Sequence, residues 1–290
     1  KAGYAVAVHN RRESTAGPLV EAGATWAPDM RAIAAGASFV FSALPGPDEQ
    51  LAVYGGEAGL IASCAPGTIL LDMTTSSPRV VRELAAAFEA KGCDMLDTPV
   101  SGGPKGAANR KLAIWVGGRE EAFAQARPIL DVIGDQVRYL GPSGTATVAK
   151  LAHNCANYGF QAVLAEVMTL GVRGGVDPAV LFGAIRQGSL GRQRAVDRLA
   201  DQFLPGEFDK PNFALKLAQK DVRLATELGR ELDVPMRIAS MTYADLTEAV
   251  NRGWGARDSR AAMILQQERS NVSIKVPREV LDDILKNEPL

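Results

Sequence analysis

Short apolar runs alternate with segments of helical period through the first half of the chain, and long helical patterns fill the second half. The runs at 4–8, 38–44, 68–72, 93–97, 112–116 and 137–140 have the length of strands, with Gly and Pro at the joints. Between them, Val80, Leu84 and Phe88 repeat at i, i+4 and i+8 in a helical segment at 79–91, and a second such segment covers 120–133. This βαβα rhythm predicts an α/β fold built on a doubly wound sheet. The rhythm stops at Ser143. The turn Gly141-Pro142-Ser143-Gly144 is therefore the expected boundary between an α/β domain at 1–142 and an all-helical domain at 143–290.

The segment 145–172 is apolar on almost every side, yet Lys150, Asn157, Gln161 and Glu166 interrupt it, which is poor for a membrane span and suits a helix buried between two domains. On a helical wheel Asn154, Asn157 and Gln161 fall at about 40°, −20° and 20° from Lys150, so the four form one polar stripe. Unpaired burial of such groups costs several kcal/mol, so the stripe must meet water, polar partners or a ligand. An interdomain cleft would supply all three, and a satisfied polar seam in a helical core is the bland alternative. A second anomaly lies in the helical segment 213–232, where Asp221 shares the apolar arc with Leu217 and Leu228 while Lys220 sits at its edge. An inward carboxylate needs a cation or a hydrogen-bond cage, and a structural ion pair would satisfy it.

Length and charge narrow the field. At roughly 100 to 200 residues per domain, 290 residues predict two domains, each with a sizeable core. Lys plus Arg (32) nearly balance Asp plus Glu (33), so no overall basic field exists to hold nucleic acid or an anionic membrane, and any anion site is local. The three cysteines fit neither a zinc pattern nor a disulfide framework, and a reducing cytoplasm suits them. The opening Lys1-Ala2-Gly3-Tyr4 is neither an initiating Met nor a signal peptide. Apolar helical patterns at 223–232 and 236–250 exceed what one small domain easily buries, which favours self-association.

Three motifs then resemble the β-hydroxyacid dehydrogenase family, whose members include 3-hydroxyisobutyrate dehydrogenase. Asp72-Met73-Thr74-Thr75-Ser76-Ser77-Pro78 is similar to its D-x-[ST]-T-x-x-P turn. Asp97-Thr98-Pro99-Val100-Ser101-Gly102-Gly103, followed by Gly106-Ala107, looks like its substrate-binding segment. Gly144-Thr145-Ala146, with Lys150 and Asn154, is similar to the start of its interdomain helix. Lys220-Asp221 and Arg257-Asp258-Ser259 add weaker agreement. The resemblance implies a Rossmann-like dinucleotide-binding domain followed by an all-α domain, joined by a long helix. It also implies that a strand and a G-x-G-x-x-G loop precede the present Lys1, with 4–8 as the second strand. Two local departures are Ala146, where the family has a second Gly, and Arg110, where it usually has Gly; the latter places a cation by the substrate mouth.

Hydride transfer between a hydroxyl and a carbonyl needs a nicotinamide, a proton donor or acceptor at the oxygen, and groups that orient the substrate. Lys150 is the candidate general acid or base, a role the resemblance also implies, with Asn154 one turn later hydrogen-bonding the substrate or holding the lysine. Ser101, Gly102 and Gly103 offer a hydroxyl and unhindered backbone donors for a carboxylate, although a tight glycine turn explains the same residues. His153 is the rival for proton transfer, and His9 belongs by position to the cofactor region. At the end of the second strand stands Asn10-Arg11-Arg12, with no carboxylate for a ribose 2′-hydroxyl, so charge-assisted contact favours NADP over NAD. By resemblance Leu44, Pro45 and Thr75 wall the cofactor site, and Lys220 is the second lysine beside it. The expected activity is NAD(P)-dependent interconversion of a small β-hydroxy acid and its semialdehyde, in a cytoplasmic homodimer or homotetramer, without metal. An imine reductase and a non-catalytic interaction protein are the competing readings.

Overall fold

The computed structural model describes residues 2–188, 197–231 and 236–287. Each apolar run of the first half becomes a strand, most of them trimmed at the ends: β1 (Ala7–Val8), β3 (Phe39–Ser42), β4 (Ile69–Asp72), β5 (Asp94–Asp97), β7 (Leu112–Gly117) and β8 (Gly134–Gly141). Two further strands, β2 (Thr25–Trp26) and β6 (Val100–Ser101), are too short to show a period in the sequence. β3, β4 and β5 run parallel, β7 pairs antiparallel with β5 and β6, and β8 lies parallel to β7. β1 and β2 form a separate parallel pair.

β4 reads Ile-Leu-Leu-Asp without alternation because both faces of the sheet are covered. Leu70 turns to a core with Tyr54, Val80, Leu84 and Phe88, and Leu71 turns to a core with Leu96, Ile114 and Leu130. Three helices supply these covers: α1 (Pro47–Tyr54), α2 (Pro78–Glu89) and α3 (Glu120–Ile133). Proline at the first position starts α1 and α2, where its missing N–H is not needed.

The long helix α4 spans Thr145–Arg173, 29 residues; after a helix at Pro178–Gln187, α5 (Leu215–Glu231) and α6 (Arg237–Asn251) lie farther along the chain. Contacts divide the chain into Lys1–Leu151 and Ala152–Leu290, so the division falls inside α4. The second unit is helical as expected. Tyr158, Leu215, Val222 and Leu246 form one of its cores, and Met168, Phe182, Phe203 and Leu204 form another. Asp258 caps the 3-10 helix Ser259–Met263 by accepting from the Arg260 amide. Lys1, the side chain of Glu166 and Leu232 lie outside the described residues.

Candidate active site

In open parallel sheets ligands gather at the carboxyl ends of the strands, and here those ends carry polar residues in register. Ser42 pairs with Asp72 across β3 and β4, and Asp72 pairs with Asp97 across β4 and β5. All three side chains are buried, both aspartates almost completely. Apolar strands that stop on an acid place the acid where the chain turns out of the sheet, so each carboxylate must find donors in neighbouring loops.

Asp97 finds them at the start of α4. Its Oδ1 accepts from the Gly144 amide at 2.8 Å, and Oδ2 accepts from the Thr147 amide at 2.8 Å and the Thr147 hydroxyl at 2.9 Å. A helix leaves its first amides unpaired and carries a partial positive charge there, so a carboxylate both satisfies and stabilises that end. Gly117, opposite Asp97 on β7, makes room: a Cβ there would lie 2.5 Å from Asp97 Oδ1.

Asp72 organises the other loops. Its Oδ1 accepts from the Thr74 amide and the Ser42 hydroxyl, each at 3.0 Å, and its Oδ2 accepts from the Gln50 amide nitrogen of α1. Gln50 Oε1 in turn accepts from the Ser76 hydroxyl, and the Tyr54 hydroxyl bonds Ser42. The Leu44 amide donates to Thr74 Oγ1 at 3.0 Å. Burial pushes the Asp72 carboxyl above the usual carboxylate range, while donors from Thr74, Ser42 and Tyr54 pull it down.

The sequence candidates fall around this frame. Ser101 ends β6 and is half-buried, while Gly102 and Gly103 are exposed at φ 131° and 60°, in the region that favours glycine. A Cβ on Gly103 would meet nothing within 4 Å, whereas one on Gly102 would meet the Lys111 carbonyl oxygen at 3.2 Å. Arg110 also has a positive φ, 57°, which explains why glycine suits that position. Lys150 is buried, one turn beyond Thr147 on α4. Leu44 is half-buried, Pro45 is exposed and Thr75 is half-buried between the pinned residues Thr74 and Ser76. Asn10, Arg11 and Arg12 are exposed beyond β1, with the Arg12 amide donating to Asn10 Oδ1. His9 bonds the Ala27 carbonyl and stacks on Trp26, which ties β1 to the residue after β2, and His153 is exposed.

In the helical unit, Asn154 donates from Nδ2 to Asp221 Oδ2 at 2.6 Å, and Lys220 Nζ lies 2.8 Å from Asp221 Oδ1. The inward carboxylate of α5 therefore has both a cation and a hydrogen-bond donor. Gln161, from the polar stripe, lines a cavity of this unit together with Tyr158, Thr242, Asp245, Ser259 and Gln266. Ser42, Gln50, Tyr54 and Ser76, and the capping task of Asp97, escaped the sequence reading. The available signal was that β4 and β5 both end on aspartate directly after apolar pairs. Among the described residues no helix is long and apolar enough to cross a membrane.

Comparison with known proteins adds to this geometry. A family model described as the NAD binding domain of 6-phosphogluconate dehydrogenase matches residues 1–141, and one described as NAD-binding of NADP-dependent 3-hydroxyisobutyrate dehydrogenase matches 144–265. The 2-(hydroxymethyl)glutarate dehydrogenase of Eubacterium barkeri is 31% identical over 94% of this chain and 91% of its own length. The NAD-dependent L-serine dehydrogenase of Pseudomonas aeruginosa is 39% identical over 89% of this chain and 88% of its own. The structure of Mycobacterium tuberculosis 3-hydroxyisobutyrate dehydrogenase with L-serine aligns at a TM-score of 0.81 and 27% identity, over 91% of each chain. An imine reductase from Myxococcus stipitatus aligns at a TM-score of 0.58 with 20% identity, over 91% of this chain and 92% of its own, a likeness of fold alone.

Proposed function

Because the chain belongs to the β-hydroxyacid dehydrogenase family of NAD(P)-dependent oxidoreductases, we propose that it interconverts a small β-hydroxy acid and its semialdehyde, with Lys150 moving the proton. The observation that carries this reading is the burial of Lys150 one turn after Thr147, on a helix pinned by the aspartate that precedes the Ser101 segment. Three compounds named for relatives, 2-(hydroxymethyl)glutarate, L-serine and 3-hydroxyisobutyrate, share one core: a CH2OH group and a carboxylate on the same carbon. We infer that this core is also the substrate core here.

In that reading, the Ser101 hydroxyl and the open backbone at Gly102 and Gly103 hold the carboxylate. Lys150 gives a proton to the substrate oxygen in reduction and accepts it in oxidation. Asn154, oriented by Asp221, hydrogen-bonds the substrate or steadies the lysine. The nicotinamide cofactor, when bound, supplies or takes the hydride. Leu44, Pro45 and Thr75 wall its site, and Lys220 stands beside it. The exposed Asn10-Arg11-Arg12 turn favours NADP, since guanidinium groups suit a 2′-phosphate. Cytoplasmic location and a homodimer or homotetramer complete the proposal.

A panel of short hydroxy acids and semialdehydes, assayed with NAD and NADP, tests it. The expected result is turnover confined to acids with the CH2OH core and a lower KM for NADP. Failure of every such acid would refute the reading.

A further inference from the structure

The register that sets Ser42, Asp72 and Asp97 side by side also separates two jobs. The Asp72 carboxylate accepts from groups on β3, α1 and the loop after β4: Ser42, Gln50 and Thr74 directly, with Ser76 and Tyr54 attached through Gln50 and Ser42. Those bonds fix both loops assigned to the cofactor. Leu44 is held through its amide by Thr74, and Thr75 lies between two residues of the network. Asp97 bonds instead to Gly144 and Thr147, at the root of the helix that carries Lys150. The donors of one carboxylate are thus different groups from the donors of the other, and the two residues are joined through the sheet backbone, where the Thr98 amide donates to the Asp72 carbonyl at 2.7 Å.

We infer that Asp72 and Asp97 are positioning residues with separable tasks, Asp72 setting the cofactor loops and Asp97 setting the general acid or base. The inference rests on the proposed function for Lys150, Leu44, Pro45 and Thr75. Its physical basis is that reactive geometry tolerates little displacement, about 1 Å costing on the order of 10²-fold. A buried carboxylate with several donors holds its neighbours far more tightly than a solvated one. A merely structural pair of aspartates would lower stability alike and leave the kinetic parameters in proportion.

The test is a double dissociation on the protein assayed with NADP(H) and its best hydroxy acid. Asp72→Ala is expected to raise the NADPH dissociation constant, read by fluorescence titration, by about 10-fold or more while kcat at saturating cofactor stays within about 3-fold. Asp72→Asn, which keeps an acceptor toward Ser42 and Thr74, should recover part of the loss. Asp97→Ala is expected to lower kcat by about 10- to 100-fold and to displace the limb of its pH profile that reports Lys150, with the NADPH dissociation constant within about 3-fold. Should either alanine variant fail to fold, Ser76→Ala and Thr147→Val each remove one bond from one network and should show the same split at smaller size. Equal effects of both sets on both parameters, or lowered stability with unchanged kinetics, would overturn the inference. If the unmodified protein neither binds NADPH nor turns over any hydroxy acid, the proposed function falls first and takes the inference with it; that outcome is visible before any variant is made.

Discussion

At the scale of single residues, substitution separates the proton transfer proposed for Lys150 from the roles of its neighbours. Lys150→Ala is expected to reduce kcat by about 10²- to 10⁴-fold, the usual range for lost general acid-base catalysis, with little change in cofactor affinity. Lys150→Arg should rescue poorly, because a guanidinium keeps the charge and does not release its proton at working pH. His153→Ala should be mild, which steady-state kinetics on the purified variants will check. The thiols give a second prediction. Burial, and then the neighbouring Cys93, push the Cys64 thiol up to about 11, and burial also raises Cys93 and Cys155. A raised thiol has little thiolate at pH 8, so iodoacetamide should label the folded protein much more slowly than the urea-unfolded chain. Rapid labelling of Cys64 in the folded state, followed by mass spectrometry, would contradict this.

Elements were legible where several residues repeat a period. The apolar runs that became β3, β4, β5 and β7 and the i, i+4, i+8 series of α2 each needed only local sequence. β2 and β6 have two residues apiece and show no period at all. The tasks of Asp72 and Asp97 were hidden for a different reason: their donors lie up to 50 residues away, and only the sheet register brings them together. The same logic explains Asp221, whose inward direction was visible on the helical wheel while its bond to Asn154 on α4 was not. A prediction belongs to this scale. Gly117→Ala would drive a methyl against the Asp97 carboxylate and is expected to destabilise the fold by about 1–3 kcal/mol, measurable by urea denaturation. A variant as stable as the parent would mean that Asp97 can move without cost.

For the whole molecule, family membership settles the general chemistry, whereas assembly rests on surface pattern. Exposed Val163 on α4 and exposed Ile238 and Met241 on α6 form an apolar stripe across two helices, since a Cβ on Gly159 would sit 3.4 Å from Ile238 Cγ2. Burying such a stripe against a second copy is favourable at roughly 25 cal/mol per Å². Light scattering at micromolar concentration should therefore give a dimer or tetramer, and Val163→Lys with Met241→Glu should shift it toward monomer. A monomer in the unmodified protein would remove the assembly proposal and leave the catalytic one intact.

The Asp97 cap also dictates when parts of the chain can form. Its three bonds close loops of 47 and 50 residues, so the first turn of α4 gains its anchor only after β5 has found its place. Contacts of that reach are slow to form. Hydrogen exchange during refolding should show the Gly144 and Thr147 amides protected late, after the amides of α2 and α3, which close locally. Lys150, the residue proposed to move the proton, would then be set in place by one of the later events in folding, so a chain with its local helices already formed would still await its working site.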